Sequence, residues 1–474
     1  MNLQGKTVLV LGMGETGLSM VKWLSRMDAK VRVADSRLNP PNWDALVQAF
    51  PTIPVFKGPF STEIFDDVEM IAVSPGVPLG EPCVQQAQQR GIPVVGDIAL
   101  FISALNNSDQ PRPKILAITG SNGKTTVTAM VGAMLDKCGW DVEVAGNIGP
   151  AVLDVLMQRM DVGKLPQAWV LEISSFQLEA TQSLNADVTT ILNISEDHLD
   201  RYVGMQDYAT AKARIFLHEA NALGGGSIQV LNRDDPGVYD MAMAGRKQIT
   251  FGLDEPETDT DFGMLQDTRD VWLMEGELRL MKASELLVSG LHNALNALAA
   301  LALCRALELP IGPLVEALRE FRGLPHRMEM VAVFNGVTFY DDSKSTNVGA
   351  TVAALTGMGQ NVILIAGGDG KGQDFSILRP AVDDCARAVV LIGRDAGKIG
   401  SALQDCDAPL YFAKSMEEAI QKSFLLAQTD DVVLLSPACA SFDMFHNYVH
   451  RAEVFVAAVK DIEAKFFSFG QEKH

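Results

Sequence analysis

The octapeptide Thr119–Thr126 (TGSNGKTT) has the residue types of a phosphate-binding loop. Glycines allow backbone N–H groups to approach phosphate oxygens, and a helix that begins at such a loop adds partial positive charge. Lys124 would pair with the outer phosphates, and the Thr125 hydroxyl would ligate Mg²⁺. Because Ile118 stands where the GxxxxGK[ST] pattern has its first glycine, the loop is a shortened variant. The sequence therefore predicts a nucleoside triphosphate site; a strand–helix turn with a chance GKT is the alternative.

A second glycine-rich turn, Gly12–Gly17 (GMGETG), matches the GxGxxG pattern between a predicted strand and a predicted helix. Asp35 ends the next strand, near the distance at which a ribose-binding acid is expected. Taken alone, these residues favour NAD and an oxidoreductase, and a purely structural tight turn is a further alternative. Since Thr119–Thr126 supplies another phosphate-binding feature, we favour two nucleotide-bearing ligands over a simple dehydrogenase.

Two further residues follow predicted strands near the phosphate loop. Glu172 lies in LEISSFQLE, and His198 lies in NISEDHLDR among Glu196, Asp197 and Asp200. Oxygen donors at the ends of strands beside a phosphate loop face the triphosphate, where Mg²⁺ binds. A lone histidine is usually structural, but the acidic neighbours and the position at a strand end favour a functional role for His198.

A helix is predicted over Gln206–Glu219, and it carries Lys212. From composition alone, Lys212 is interpreted as a solvated surface lysine. Arg214, on the same helix, is also interpreted as a surface residue.

Three polar turns follow predicted strands in the last part of the chain. They are Asp342–Asn347 (DSKSTN), Gly367–Gly372 (GGDGKG) and Ser436–Ser441 (SPACAS). Each turn alone could be a plain loop. Because all three follow strands of one sheet, we expect them to converge at its carboxyl edge.

Short β-rich apolar runs alternate with helical patterns along the chain, which predicts parallel-sheet α/β architecture. The 474 residues suggest three domains at about 150 residues each. A polar, proline-flanked linker at Asn106–Pro113 and the segment Arg322–Pro325 separate them, and we place the domains at 1–102, 103–322 and 323–474. Predicted strands include Val8–Gly12, Val31–Asp35, Met70–Ser74, Lys114–Thr119, Trp169–Ile173, Val188–Asn193, Ile228–Asn232, Val362–Ala366, Ala388–Ile392 and Val432–Ser436.

The composition restricts the partners and the compartment. A formal net charge of −20 argues against nucleic acid or an anionic membrane surface as a partner. Six scattered cysteines without a CxxC pair indicate reduced, buried thiols. No stretch has the length of a membrane span or the pattern of a signal peptide, so we expect a cytoplasmic protein. The acidic run Asp254–Asp261 (DEPETDTD) is interpreted as a solvated loop.

With these residues assembled, the whole chain resembles the Mur ligase family. The motifs that carry the resemblance, in order, are TGSNGKTT, LEISSFQLE, HNALNALAA, GLPHRME, DDSKSTN, GGDGKGQDF and SPACASFDMF. The resemblance implies a Rossmann-like N-terminal domain, a central P-loop-type ATP-binding domain and a Rossmann-like C-terminal domain.

It also implies an ATP-dependent amide ligase whose substrates are UDP-N-acetylmuramoyl-L-alanine and D-glutamate. ATP would convert the substrate carboxylate into an acyl phosphate, which the amine then attacks. A family member that adds another amino acid is the nearest alternative; the absence of a DNPR motif favours D-glutamate. The NAD-dependent oxidoreductase is the alternative from another class.

Carried over position by position, the resemblance implies a role for each motif residue. Lys124, His198 and Lys212 would be catalytic, and Thr125, Glu172, His198 and Lys212 would serve two Mg²⁺ ions. Lys212 matches a carbamylated lysine, which overturns its surface interpretation. The residues around ATP would be Gly120, Ser121, Asn122, Gly123, Lys124, Thr125, Thr126, Asn293, Asn296, His326, Arg327 and Asp342.

The two other substrates would be bound mainly by the N-terminal and the C-terminal domain. The UDP-sugar positions are Thr16, Asp35, Ser36, Arg37, Ser74, Gly76 and Asn147. The D-glutamate positions are Lys344, Thr346, Lys371 and Ser441, whose cations and hydroxyls suit carboxylates. Tyr448 departs from the family pattern, because an aromatic residue without a hydroxyl is usual there.

Overall fold

The computed structural model describes residues 1–217, 227–288, 290–358 and 361–471. Their strands form three sheets, each built from one continuous part of the chain and each mostly parallel. This confirms the expected α/β class with three domains. Within the described ranges, no helix combines the length and apolar character needed to cross a bilayer.

The first domain contains a five-stranded parallel sheet in the order β3-β2-β1-β4-β5. In β1, four of the five residues are buried, as expected for a central strand covered by helices on both faces. The elements are β1 Thr7–Leu11, α1 Glu15–Arg26, β2 Lys30–Asp35, α2 Trp43–Ala49, β3 Val55–Lys57, β4 Met70–Val73, α3 Pro82–Gln89, β5 Val94–Val95 and α4 Asp97–Asn106. The boundary placed after residue 102 falls inside α4 and stays a prediction.

The middle domain contains a nine-stranded sheet in the order β14-β13-β12-β11-β10-β9-β6-β8-β7. Its strands are β6 Lys114–Thr119, β7 Val142–Gly146, β8 Ala168–Glu172, β9 Val188–Ile191, β10 Ile228–Asn232, β11 Gln248–Phe251, β12 Phe262–Gln266, β13 Val271–Glu275 and β14 Leu278–Lys282. Its helices are α5 Lys124–Lys137, α6 Val152–Val162, α7 Ser175–Glu179, α8 Met205–Ala213, α9 Pro236–Tyr239, α10 Leu291–Ala306 and α11 Ile311–Glu320.

Two parts of this domain differ from the sequence-based expectation. The helix predicted over Gln206–Glu219 is α8, which ends at Ala213 and continues as one 3₁₀ turn to Phe216; residues 218–226 lie outside the described part of the chain. The strands β7, β11 and β12–β14 were not predicted. In β13 and β14, charged residues and exposed positions weaken the apolar alternation. The acidic run Asp254–Asp261 connects β11 to β12 and is mostly exposed, although Asp261 itself is buried.

The third domain contains a six-stranded sheet in the order β15-β16-β20-β17-β18-β19, in which only β15 is antiparallel to its neighbour. The elements are β15 Glu329–Phe334, β16 Val337–Asp341, α12 Val348–Met358, β17 Val362–Gly367, α13 Arg379–Cys385, β18 Ala386–Ile392, α14 Ala396–Ala402, β19 Leu410–Phe412, α15 Met416–Leu426, β20 Val432–Leu435 and α16 Tyr448–Gln471.

The strand order brings the predicted motifs together at the carboxyl edges of the sheets. In the middle domain, β6 lies between β8 and β9, with Ile118 opposite Glu172 and Thr119 opposite Ile191. The phosphate loop, Glu172 and the segment leading to His198 therefore leave the sheet side by side. In the third domain, β16, β20 and β17 are neighbours, so the three polar turns that follow them meet at one edge, as expected.

The first and middle domains share an apolar core. Phe101 of α4 packs edge-to-face on Trp169 of β8, with ring centroids 4.8 Å apart, and both side chains are fully buried. Burial of two such large rings at a domain junction stabilises the relative position of the two sheets. The packing of Phe101 on Trp169 therefore holds in place the groove between the carboxyl edges of the two sheets, which lies on the side away from these rings.

Candidate active site

The phosphate loop connects β6 to the N-terminus of α5. Gly123 caps the helix with φ of 81°, and a Cβ there would overlap the Asn296 amide oxygen, so both the conformation and the space require glycine. The Lys124 ammonium donates to the carbonyls of Gly120 and Ser121, at 2.8 and 2.9 Å, which holds it at the mouth of the loop. A cation and the N-terminus of a helix thus face the same point, which is the electrostatic requirement for binding phosphates.

Lys212 is buried, with 1% of its surface exposed, so its interpretation as a solvated lysine was wrong. Its Nζ donates to the Gly120 carbonyl at 2.9 Å and lies 4.6 Å from the centroid of the Tyr208 ring. Burial, together with the nearby Lys124 cation, lowers the pKa of Lys212 well below its ordinary value. The side chain is therefore an amine held against the phosphate loop, where its charged form is disfavoured.

Glu172 ends β8 and is almost completely buried. Its Oε1 accepts a hydrogen bond of 2.6 Å from the Asn147 side-chain amide. Its Oε2 is buried without a hydrogen-bond partner among the described residues. An unpaired buried carboxylate oxygen is costly unless something positive satisfies it, so this atom has the character of a cation ligand.

His198 has a positive φ of 56°, and its ring lies beside Phe176 of α7 and Tyr208 of α8. The ring packs edge-to-face on Phe176 at 4.7 Å, and Nε2 lies 3.5 Å from an Asp197 carboxylate oxygen. Burial lowers the pKa of His198 to about 4, despite the opposing effect of Asp197. The imidazole is neutral at pH 7 and has a lone pair available for a metal ion.

A cavity of about 300 Å³ lies between the middle and third domains beside the phosphate loop. Residues of both domains line it, and they include the predicted Asn122, Gly123, Thr126, Asn293, Asn296, Arg327 and Asp342. The apolar part of the lining includes Val288, Leu295, Leu324 and Ala353. A phosphate loop that continues into a partly apolar slot is suited to a nucleoside triphosphate.

Direct hydrogen bonds join the two domains around this cavity. Arg327 donates to the Thr125 hydroxyl at 2.7 Å, and the Asn347 amide donates to the Asn122 side-chain oxygen at 2.9 Å. His326, also predicted at the ATP site, does not line the cavity. Its Nδ1 lies 2.7 Å from the buried Asp341 carboxylate.

A second cavity, of about 540 Å³, lies between the first and middle domains. The structure brings all seven residues predicted for the UDP-sugar to its wall: Thr16, Asp35, Ser36, Arg37, Ser74, Gly76 and Asn147. Asp35 accepts from the Met13 N–H at 2.7 Å and from both Nε and Nη2 of Arg37. These contacts fix the orientation of the Asp35 carboxylate at the wall of the cavity.

The residues predicted for D-glutamate belong to loops of the third domain that face the phosphate loop. Lys371 pairs with Asp197 of the middle domain at 3.0 Å. Lys344 lies 3.7 Å from the centroid of the Tyr448 ring, and burial lowers its pKa to about 8. Ser441 is buried after β20, and Thr346 is half-buried after β16. Two lysines and two hydroxyls thus belong to the loops at one edge of this sheet.

Three residues of the site were not predicted individually. Gln177 lines the second cavity, Asp197 contacts both His198 and Lys371, and Asn347 bonds to the phosphate loop. All three lie inside segments already singled out in the sequence (LEISSFQLE, NISEDHLDR and DDSKSTN). Membership of these segments is the sequence feature that could have identified them. Their contacts depend on the docking of domains, which spacing along the chain does not show.

Family models match three segments of the chain: "Mur ligase MurD-like, N-terminal domain" over residues 6–96, "Mur ligase middle domain" over residues 118–304, and "Mur ligase, glutamate ligase domain" over residues 326–439. The UDP-N-acetylmuramoylalanine–D-glutamate ligase of Nitrosospira multiformis is 62% identical over 464 residues, which is 98% of this chain and 97% of that protein. The ligase of the same name from Nitrosomonas europaea is 61% identical over the full length of both chains.

Solved structures agree on the fold. A UDP-N-acetylmuramate–alanine ligase from Thermotoga maritima superimposes with a TM-score of 0.58 at 20% identity, over 96% of this chain and 99% of that one. A pseudomurein peptide ligase from Methanothermus fervidus gives a TM-score of 0.55 at 20% identity, over 91% and 96%. The family models and the end-to-end identity place this chain in the Mur ligase family.

Proposed function

We propose that the protein is the ATP-dependent ligase that joins D-glutamate to UDP-N-acetylmuramoyl-L-alanine during synthesis of peptidoglycan precursors. Relatives that bear the name of this ligase are 50–62% identical over nearly the whole chain. The observation that carries the proposal is the contact between Asn147 and Glu172, because Asn147 lines the UDP-sugar cavity and Glu172 adjoins the phosphate loop. The pair thus connects the wall of the UDP-sugar cavity to the strand beside the phosphate loop, and a substrate carboxylate bound near Asn147 would approach the γ-phosphate of ATP there.

The proposed reaction requires the substrate carboxylate and the γ-phosphate of ATP to lie close together. A carboxylate is a poor electrophile until one of its oxygens becomes a leaving group. Transfer of the γ-phosphoryl group from ATP to the substrate carboxylate breaks the bond to ADP and forms an acyl phosphate. The amine of D-glutamate then attacks the acyl carbon and loses a proton, and the tetrahedral intermediate collapses to an amide and inorganic phosphate. Lys124, placed at the mouth of the loop, would neutralise charge on the transferred phosphoryl group.

The structure contains residues that fit the Mg²⁺ ions expected for such a transfer. The unpaired Oε2 of Glu172, at the end of β8, and the neutral imidazole of His198, in the segment after β9, are suitable ligands beside the loop. Thr125 would contribute its hydroxyl, which also accepts the hydrogen bond from Arg327. When bound, Mg²⁺ would neutralise the negative charge that accumulates during phosphoryl transfer.

We assign to Lys212 a carbamate formed with CO₂. A neutral lysine nitrogen attacks the carbon of CO₂, a C–N bond forms and a proton leaves, so that a potential cation becomes an anion. Burial keeps the amine in the reactive neutral form, and Lys124 and the loop lie beside the new negative charge. The modified side chain would act with Glu172 and His198 at the metal sites.

The third domain would supply the acceptor amine. Lys344 and Lys371 provide positive charge for the carboxylates of D-glutamate, and Thr346 and Ser441 provide hydroxyl groups. Because ATP is consumed and all six cysteines are free, we place the reaction in the cytoplasm.

A phosphate-release assay on UDP-N-acetylmuramoyl-L-alanine with single amino acids tests the proposal. We expect release of phosphate with D-glutamate and ATP, and none when either is omitted. Turnover with L-alanine or diaminopimelate in place of D-glutamate would assign the chain to a different amino acid within the family. Tight binding of NAD without binding of the UDP-sugar would instead support the oxidoreductase.

A further inference from the structure

Arg201 lies in the turn that follows His198 and was not among the predicted site residues. Its backbone N–H donates to the His198 carbonyl at 2.9 Å, so the turn fixes the two residues relative to each other. Only 11% of the arginine side chain is exposed. The guanidinium group is therefore buried between domains.

One side of the guanidinium contacts the first domain. Nη1 donates to the Pro75 carbonyl at 2.6 Å, and Nη2 lies 3.4 Å from the Val77 carbonyl. These carbonyls flank Gly76, and residues 75–77 all line the cavity assigned to the UDP-sugar. A side chain of the middle domain thus holds the rim of a cavity whose walls belong largely to the first domain.

The other contacts of Arg201 lead toward the phosphoryl-transfer site. Nη2 pairs with Glu179 at the end of α7, at 2.7 Å. The guanidinium carbon lies 4.1 Å from the centroid of the Phe176 ring, which also packs against His198 at 4.7 Å and against Tyr202 at 6.0 Å. Since Glu179 neutralises the arginine, the group is suited to holding three segments together by directed hydrogen bonds and stacking.

We propose that Arg201 is a positioning residue that couples the rim at residues 75–77 to His198, and so sets how the sugar nucleotide presents its carboxylate to the phosphoryl-transfer site. This inference rests on the proposed function. Without the hydrogen bonds from Arg201, the rim at residues 75–77 would shift away from the position in which the bound sugar nucleotide can react. Arg201 itself does not line the cavity. The planar guanidinium is essential, because a lysine ammonium is a point charge that cannot donate in a fork and stack on Phe176 at once.

The test compares Arg201→Lys with wild type by steady-state kinetics and by calorimetric titration of UDP-N-acetylmuramoyl-L-alanine. We expect KM and Kd for the UDP-sugar to rise about tenfold, which corresponds to the loss of one charge-assisted hydrogen bond. We expect KM for ATP to change less than about twofold, because Arg201 makes no contact with the phosphate loop among the described residues.

Arg233→Lys is the matched control. Arg233 is also a buried arginine, bonded to a carbonyl (Phe262, 3.0 Å) and a carboxylate (Asp254, 2.6 Å), but it lines neither cavity. It should leave both KM values unchanged. Equal loss in the two variants, or an unchanged Kd in Arg201→Lys, would overturn the inference. The Kd needs no turnover, so failure of wild type to use D-glutamate would refute the proposed function separately.

Discussion

The Asn147 amide donates a 2.6 Å hydrogen bond to Glu172, and this contact joins the UDP-sugar cavity to the phosphate loop. It fixes one oxygen of the carboxylate and leaves the other without a protein partner among the described residues. Side chains that orient a metal-binding carboxylate in this way are as important as the ligand itself.

Asn147→Ala should therefore lower activity about 10–100-fold and raise the Mg²⁺ concentration needed for half-maximal rate. The measurement is a Mg²⁺ titration of phosphate release. Asn107→Ala, at an exposed asparagine at the end of α4, is the control and should match wild type. An unchanged Mg²⁺ requirement in Asn147→Ala would show that Asn147 does not support the binding of Mg²⁺ by Glu172.

Lys212→Ala should lose most activity, because the proposed carbamate could not form and its charge stabilisation in the transfer step would be lost. Short carboxylic acids such as acetate should restore part of the rate, since they can occupy the space of the missing carbamate. Full activity of the variant, without any added acid, would refute the carbamate. Wild type depleted of CO₂ provides an independent comparison and should also be slowed.

Asp97 should make stability dependent on pH. It is buried at the start of α4, and burial raises its pKa from 3.8 to about 6 even though Gln177 donates to it. Because the folded pKa is the higher one, the stabilising contribution of the protonated carboxyl is complete below about pH 4 and is lost as the pH rises through 6. Asp97→Asn should be more stable than wild type at pH 7.5, by at most about 3 kcal/mol, and equally stable near pH 4. Urea unfolding at the two pH values measures this difference.

Phe101→Ala should destabilise the protein by about 3–5 kcal/mol, because it removes a buried ring from the core shared by two domains. Thermal unfolding measures the loss. The exposed Phe442→Ala is the comparison and should unfold at the wild-type temperature. If Phe101→Ala also unfolds at the wild-type temperature, the interface between the first and middle domains contributes little to stability.

The third domain already contacts the phosphate loop through Arg327 and Asn347, so it should rotate away about Arg322–Pro325 to admit ATP and the UDP-sugar and return when both are bound. Small-angle scattering with and without both ligands measures the change in shape. Superimposable curves would count against the rotation.

The sequence predicted the sheet class, the three-domain order and most central strands, because buried parallel strands are continuous apolar runs. In the middle domain it missed β7 and β11–β14; in β13 and β14, charged and exposed positions break the alternation. Most residues that the family resemblance assigned to ATP and to the UDP-sugar lie together around two cavities, except for His326, and their roles stay predictions. Composition alone put Lys212 on the surface. The burial of Lys212 comes from the packing of α8 against the phosphate loop, a tertiary contact over 92 residues that no local pattern contains.

All polar groups of Asn122, in the phosphate loop, form hydrogen bonds. Its N–H donates to the Asn193 side chain and its carbonyl accepts from it, while its own side chain bonds to Ser195 and to Asn347. Replacing any one of the three asparagines removes at least one of these hydrogen bonds in a partly buried place. Substitutions at Asn122 and at Asn347 of the third domain should therefore be energetically non-additive, since the two side chains share one hydrogen bond.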